Sequence, residues 1–140
     1  MNGVAQYTRS IIKGFTTFNR PEIIISDGVS ERKLKVLTAA FCNSTTYGGG
    51  LIIQPDAKVD DGILHSCEIG DVSVWTYLKH LPRLKKGKYI EHPEVFYRSS
   101  QSYTVEVLNG TCPIEMDGEV VGNAPAKFGV EPKALEFIFP

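Results

Sequence analysis

The chain has 140 residues, of which 42% are hydrophobic and 22% charged, a size and composition typical of one compact domain. Its 15 Lys and Arg residues and 16 Asp and Glu residues give a formal charge of -1, which excludes the basic surface of a general nucleic-acid binder. No apolar run approaches the roughly 20 residues that a membrane-spanning helix needs. We therefore expect one soluble domain over residues 1–140 that can still contact a membrane surface.

The cysteines bear on the cellular compartment of the chain. Cys42, Cys67 and Cys112 are widely spaced and odd in number, and no secretory signal is visible at the start of the sequence. We therefore expect buried free thiols and a cytoplasmic chain.

Apolar periodicity predicts the elements in chain order. Residues 4–15 have helical spacing and predict a short amphipathic helix ending near Gly14. Short runs rich in β-branched and aromatic residues follow, separated by turn sequences such as SDG, DDG, LNG and MDG, which is typical of an antiparallel β-rich domain. These predicted strands cover residues 22–26, 34–41, 50–53, 62–69, 102–108, 112–116 and 134–139.

The clearest interior helix is predicted over residues 72–87. Val74, Leu78 and Leu81 fall on one face of this segment. Asp71 or Ser73 can cap its N-terminus, and Pro82 is expected to kink or end it. A basic run follows, which most often is solvated surface but could attract anionic lipid headgroups or phosphates: Arg83, Lys85, Lys86 and Lys88.

The three histidines are not spaced as a set of metal ligands. We expect His80 on the helix surface, and His65 and His92 in strands or loops.

The sequence DAKVDDGIL, residues 56–64, contains two adjacent carboxylates. Asp60 or Asp61, with the main-chain carbonyls of Lys58 and Ile63, could supply oxygen ligands to Mg²⁺ or Ca²⁺. The alternative is an ordinary turn, because Asp bonds to its own backbone and Gly accepts a positive φ.

Three consecutive glycines, Gly48, Gly49 and Gly50, permit close approach by a phosphate, a substrate or another strand. They lack the spacing of a P-loop or a Rossmann motif, so a β-bulge or a tight strand bend is the competing interpretation.

The sequence MDGE places Asp117 and Glu119 on either side of Gly118. Two carboxylates across a turn can both face a cleft, where one could accept a proton from a substrate hydroxyl. A solvated hairpin turn explains the same residues without any chemistry.

Together, and in this order, these motifs resemble the C-terminal domain of the diacylglycerol kinase-like lipid kinases, the YegS-type family related to sphingosine and ceramide kinases. The resemblance runs from about residue 7 to residue 140. The motifs are GGG with a following apolar strand and PDA, the DDG turn, a helix leading to GKY, the DGE turn and a final strand containing PKAL.

The resemblance implies a mainly β fold, an antiparallel two-sheet β-sandwich with one or two short helices. It implies a Mg²⁺ held by Asp61 and the carbonyls of Lys58 and Ile63, with Asp60 as the neighbouring alternative. It places the proton acceptor at Glu119 first and Asp117 second. The implied activity is transfer of the γ-phosphoryl group of ATP to the hydroxyl of a lipid at a membrane surface, the lipid being diacylglycerol-like or sphingoid.

One part of the family pattern is missing from these residues. The 140 residues contain no GGDGT motif, the sequence with which the family's N-terminal domain binds ATP. We therefore expect a truncated, split or degenerate gene product that does not phosphorylate lipids alone and needs an ATP-binding domain in cis or in trans. Homo-oligomerisation or strand-edge pairing could cover surface left bare by that domain.

Three other functions remain open. The chain could be a non-catalytic module that binds lipids, or a purely structural interaction domain. The NAD kinase branch of the same superfamily shares the two-domain plan, but the GGG, PDA and DDG order resembles the lipid kinases more closely.

Overall fold

The computed structural model describes residues 13–15, 17–47 and 50–136, and these residues form a mainly β structure. A four-stranded antiparallel sheet has the strand order β11-β8-β1-β2, and a three-stranded sheet has the order β3-β6-β7. Two hairpins, β4-β5 and β9-β10, complete the strands. The predicted β-sandwich class is therefore confirmed.

The strands of the larger sheet are β1 (Glu22–Ser26), β2 (Glu31–Lys35), β8 (Ser102–Asn109) and β11 (Ala126–Gly129). Those of the smaller sheet are β3 (Thr38–Cys42), β6 (Leu64–Ile69) and β7 (Val95–Ser100). The hairpins consist of β4 (Thr46–Tyr47) with β5 (Leu51–Ile52), and β9 (Pro113–Met116) with β10 (Glu119–Asn123).

Strand β1 shows why these residues form a sandwich. Its alternate residues Ile23 and Ile25 are buried, as the period of two along a strand requires for a sheet with one face on the core. Aliphatic and aromatic side chains from both sheets complete that core, namely Leu34, Val36, Leu64, Tyr103 and Val105. Strand β6 is buried along its whole length because it pairs on both sides and is covered on both faces.

Several predicted strands are confirmed, and others need correction. Strand β1 has the predicted bounds, whereas the predicted run 34–41 is divided between β2 and β3 at residues 36 and 37. Strand β7, with the sequence VFYRSS, was not predicted because its polar second half hides the apolar pattern. Residues 134–136 form no strand, and the remainder of that predicted strand lies outside the described residues.

The interior helix, α1, spans Val74–Lys85. Ser73 rather than Asp71 is the N-cap, since its hydroxyl accepts a hydrogen bond from the Thr76 amide at 3.1 Å. The expectation that Pro82 ends the helix is wrong, because the helix continues to Lys85. Burial of Leu84 and the closing bonds from the Lys86 amide stabilise this last turn despite the amide that Pro82 lacks.

The predicted N-terminal helix lies largely outside the described residues. Residues 13–15 and 17 are helical, and the Phe18 amide donates to the Gly14 carbonyl, so the helix extends beyond Gly14. The three cysteines are free, as expected, although only Cys67 is fully buried. Burial raises the pKa of the Cys67 thiol to about 12, which keeps it protonated and unreactive.

The position of His80 differs from the expected surface location. Its ring is half-buried, 6.4 Å from the ring of His92, and its Nδ1 is buried without a hydrogen-bond partner. Desolvation lowers the pKa of His80 first, and the positive charges of Lys79 and Arg83 and the neighbouring His92 lower it further.

This environment predicts a pH-dependent stability. Because the folded pKa lies below the unfolded value of about 6.5, the neutral ring is favoured in the fold, and stability is lost as the pH falls below that value. The drop in Tm between pH 7.5 and pH 5.5 should be smaller in His80→Gln than in the unmodified chain. Equal drops in the two proteins would contradict the assignment.

Candidate functional site

A cavity of about 420 Å³ lies between the two sheets and beneath the β9-β10 hairpin. The larger sheet contributes Ile23, Val105 and Phe128, and strand β3 contributes residues 38–41. The hairpin contributes residues 113–117 and 120. The size of the cavity falls in the range of small-molecule sites, and its lining is largely apolar.

Aromatic packing shapes one wall of this cavity. The Phe41 ring stacks on Phe128 with a centroid distance of 4.4 Å and lies 5.1 Å from the ring of Tyr103. Tyr103 is fully buried, so the wall rests on the hydrophobic core and has little freedom to move. This side of the cavity is therefore a rigid apolar wall.

The DGE turn closes the β9-β10 hairpin at the edge of the cavity. Asp117 and Gly118 have φ values of 52° and 88°, which is the left-handed pair that a tight two-residue hairpin turn requires. Asp117 belongs to the cavity lining, together with Glu115 and Met116. Asp117 and Glu119 are both exposed, and Glu119, which begins β10, is not among the lining residues.

The DDG loop precedes strand β6. The Asp61 carboxylate accepts a hydrogen bond from the Ile63 amide at 2.9 Å, and its other oxygen lies 3.7 Å from Nε2 of His65. Gly62 has a φ of 70° and lies against Pro132, where a Cβ would be only 3.0 Å from the proline ring. Glycine is required at this position for both reasons.

The donor types of this loop fit a hard divalent cation. One carboxylate, on Asp61, and the carbonyls of Lys58 and Ile63 are the oxygen ligands that Mg²⁺ and Ca²⁺ take. Nε2 of His65 is buried without a hydrogen-bond partner and faces the same carboxylate. Within the described part of the chain no group of three or more His, Cys, Asp or Glu side chains could hold a metal, so main-chain oxygens would have to complete the site.

The two predicted sets of site residues lie on different parts of the fold. The cavity lining includes Asp117 but none of residues 58–63. Of the triple glycine, Gly48 and Gly49 lie outside the described residues. Gly50 immediately precedes β5, has a φ of 80°, and has open space where a Cβ would lie. The positive φ, and not the close approach of another group, therefore explains a glycine at this position.

Two of the other motifs contact each other. The hydroxyl of Tyr89, in GKY, donates to the carboxylate of Asp56, in PDA, at 2.6 Å. Burial, followed by this contact with the carboxylate, raises the pKa of Tyr89 to about 12. The bond ties the segment after helix α1 to the segment after β5, which gives both motifs a structural role.

A buried ion network outside the cavity lining was not predicted. Glu68 on β6 is fully buried and pairs with Arg98 on β7 at 2.7 Å. Arg98 continues across to the other sheet, where it bonds the Asp27 carboxylate at 3.2 Å and the Ile25 carbonyl at 3.3 Å. The Arg32 side chain lies 3.5 Å from Glu68 and stacks over the ring of Phe96.

The network also affects Asp27. The amides of Ser30 and Val29 and, to a smaller extent, the charge of Arg98 lower the pKa of this carboxyl to about 2. Asp27 is therefore ionised at neutral pH and available to Arg98. No sequence signal identified the network, since each of its residues looks like an ordinary solvent-facing charge on a strand or turn.

Fold and site together define a class of protein: a β-sandwich domain with an apolar cavity between its sheets and a carboxylate turn at the edge of that cavity. Residues 1–139 match the family model described as the YegS C-terminal NAD kinase beta sandwich-like domain. The chain belongs to this family.

Individual relatives support the assignment. A diacylglycerol kinase of Mycobacterium tuberculosis is 31% identical over 123 residues, covering 86% of this chain and 38% of the relative. A Shewanella frigidimarina protein named "Probable lipid kinase YegS-like" is 26% identical over 106 residues, covering 75% of this chain and 33% of the relative. The chain thus spans less than half the length of these relatives.

Solved structures show the same fold. A Bacillus anthracis protein described as "a putative diacylglycerol kinase" superposes with a TM-score of 0.73 at 17% identity, over 90% of this chain and 43% of that one. At this identity the likeness concerns the fold alone. The resemblance inferred from the motifs is therefore confirmed at the level of family and fold, whereas the metal and proton-acceptor residues remain predictions.

No helix among the described residues is long and apolar enough to cross a bilayer.

Proposed function

We propose that this chain supplies the lipid-binding half of an ATP-dependent lipid kinase, with the cavity between the sheets holding the apolar part of the acceptor. The cavity is the observation that carries the proposal. It is apolar along its walls and has Glu115 and Asp117 at the hairpin end. A lipid with one hydroxyl end matches that distribution, its chain against the walls and its hydroxyl beside the carboxylates.

In the proposed reaction, the acceptor hydroxyl oxygen forms a bond to the γ-phosphorus of ATP while the bond to the leaving ADP breaks. The hydroxyl proton passes to a carboxylate of the DGE turn. The position of Asp117 in the cavity lining favours it over Glu119 as this acceptor, the reverse of the order implied by the family resemblance. A Mg²⁺ at residues 58–63, when bound, would supply positive charge and hold the loop's oxygens in one arrangement.

ATP would be bound by a domain outside these 140 residues, which contain no GGDGT motif. We therefore expect the isolated chain to bind an acceptor lipid without phosphorylating it. The acceptor is diacylglycerol-like or sphingoid, since both present a hydroxyl at the end of an apolar body.

Filling the cavity tests the proposal. Ala39 lines it and lies on the same face of β3 as Phe41, so Ala39→Phe would place a ring in the space that the acceptor needs. We expect the affinity of the chain for soluble dioctanoylglycerol to fall at least about tenfold. Isothermal titration calorimetry would measure the change.

Val29→Phe is the matched control, because Val29 lies on a fully exposed turn and the same ring there should leave binding unchanged. A thermal melt of each variant would show that the fold is retained. If Ala39→Phe folds and binds the lipid as well as the unmodified chain does, the cavity is not the acceptor site.

A further inference from the structure

The outward face of helix α1 combines one large aromatic side chain with two lysines. Trp75, the single tryptophan of the chain, is 74% exposed, although a side chain of this size is usually highly buried. Lys79, Pro82 and Lys86 follow at spacings of three and four residues, so they share its face of the helix, and all of them are exposed. We call these four residues the Trp75 face.

Charge along this part of the chain is strongly one-sided. Residues 72–90 contain no Asp or Glu and five bases, which leaves 10 bases against 16 acids for the rest of the chain. The five are Lys79, Arg83, Lys85, Lys86 and Lys88. A locally positive surface on a chain of net charge -1 has a specific complement, an anionic one.

The packing of the helix does not require the Trp75 face. The opposite side carries buried Leu84 with half-buried Leu81 beside it, and these residues attach the helix to the rest of the fold. Helix α1 contacts strand β5, which pairs with β4, and Tyr47 of β4 lines the cavity. The helix is therefore one hairpin away from the cavity.

We propose that the Trp75 face docks the domain on a bilayer surface that contains anionic lipids. An amphipathic helix lying in the headgroup layer places tryptophan at the boundary between headgroups and acyl chains and lysines among the phosphates. The same combination would not suit a neutral surface, because Lys79 and Lys86 would gain nothing there. Docking through this face holds β5 and its hairpin close to the membrane and does not depend on any step of phosphoryl transfer.

The unmodified 140-residue chain can test this directly, because Trp75 is its own fluorescent probe. Titration with vesicles of phosphatidylcholine and phosphatidylglycerol in equal parts should shift the Trp75 emission to shorter wavelength, and the chain should sediment with the vesicles. Vesicles of phosphatidylcholine alone should leave both readouts nearly unchanged. Raising the salt concentration should weaken the binding, because screening shortens the range of surface charges.

Charge reversal identifies the face. Each Lys near an anionic bilayer contributes about fivefold to affinity, so Lys79→Glu with Lys86→Glu should reduce vesicle affinity at least about 25-fold. The matched control is Lys35→Glu with Lys127→Glu, which makes the same change in net charge at exposed positions of β2 and β11. Because salt screens charges that are far from the docked face, this control should change the vesicle affinity no more than about twofold. Trp75→Ala should weaken sedimentation without removing its salt dependence.

Three results would overturn the proposal. The first is an equal loss of vesicle affinity in the control pair, and the second is equal binding to neutral vesicles. The third is a chain that does not bind anionic vesicles and instead binds duplex DNA or self-associates through Trp75. Titration with dioctanoylglycerol distinguishes a failure of this proposal from a failure of the proposed function. The Lys79 and Lys86 variant should still bind the soluble lipid in the cavity, whereas Ala39→Phe should lose it and still bind vesicles.

Discussion

Replacing Arg98 with Met should destabilise the domain by about 3–5 kcal/mol, because the fully buried Glu68 would lose its closest cation and keep only Arg32, at 3.5 Å. A domain of this kind has a total stability of about 5–15 kcal/mol, so the loss would be a large fraction of it. Methionine keeps most of the length and apolar contact of the arginine stem, which confines the change to charge and hydrogen bonding. Urea unfolding at neutral pH would measure it.

A second substitution distinguishes the buried ion pair from general packing damage. Arg98→Met combined with Glu68→Gln should recover part of the loss, since the uncompensated charge is then removed. Lys33→Met serves as the control, because its ion pair with Glu22 at 3.2 Å is exposed and should be worth no more than about 1 kcal/mol. A loss at Arg98 as small as at Lys33 would show that the network contributes little.

Replacing Asp117 with Asn should slow phosphoryl transfer by about 100-fold to 10,000-fold in a two-domain enzyme that carries this chain. A suitable enzyme is a fusion in which these residues replace the matching C-terminal part of the Mycobacterium tuberculosis relative. Asn has nearly the shape of Asp and tolerates the positive φ of this turn, so the backbone should be retained. Transfer of radiolabelled phosphate from ATP to diacylglycerol would be measured.

Glu119→Gln in the same fusion is the matched comparison, and we expect a smaller loss because Glu119 is outside the cavity lining. A larger loss at Glu119 would restore the order implied by the family resemblance. Soluble-lipid binding should be unchanged in both variants, since neither substitution alters the apolar walls. If both variants retain full activity, the DGE turn does not hold the proton acceptor.

These two predictions connect distant parts of the domain. Arg98 joins the sheets that enclose the cavity, while Asp117 lies on the hairpin that covers it. A site between two sheets depends on their separation, and the bonds from Arg98 to Asp27 and to the Ile25 carbonyl are one means of fixing that separation. The stability of the network and the shape of the acceptor site are therefore linked.

The sequence by itself determined the features that depend on local periodicity and turn chemistry. The β-branched run at residues 22–26 predicted the bounds of β1, and the sequence before Val74 contained the serine that caps helix α1. The DGE turn was visible because Asp117 and Gly118 can both adopt positive φ. The order of the motifs gave the family, because it did not depend on how any one of them folds.

Tertiary structure alone decided which residues meet. Leu84 is buried against the sheet and keeps the helix intact past Pro82, which propensity could not predict. Arg98 and Glu68 are 30 positions apart, and their pairing depends on two strands being adjacent and on the opposite sheet covering both. The different positions of Asp117 and Glu119 have the same cause. A turn sets their spacing along the chain, and only the packing of the hairpin over the sheets decides which of them lines the cavity.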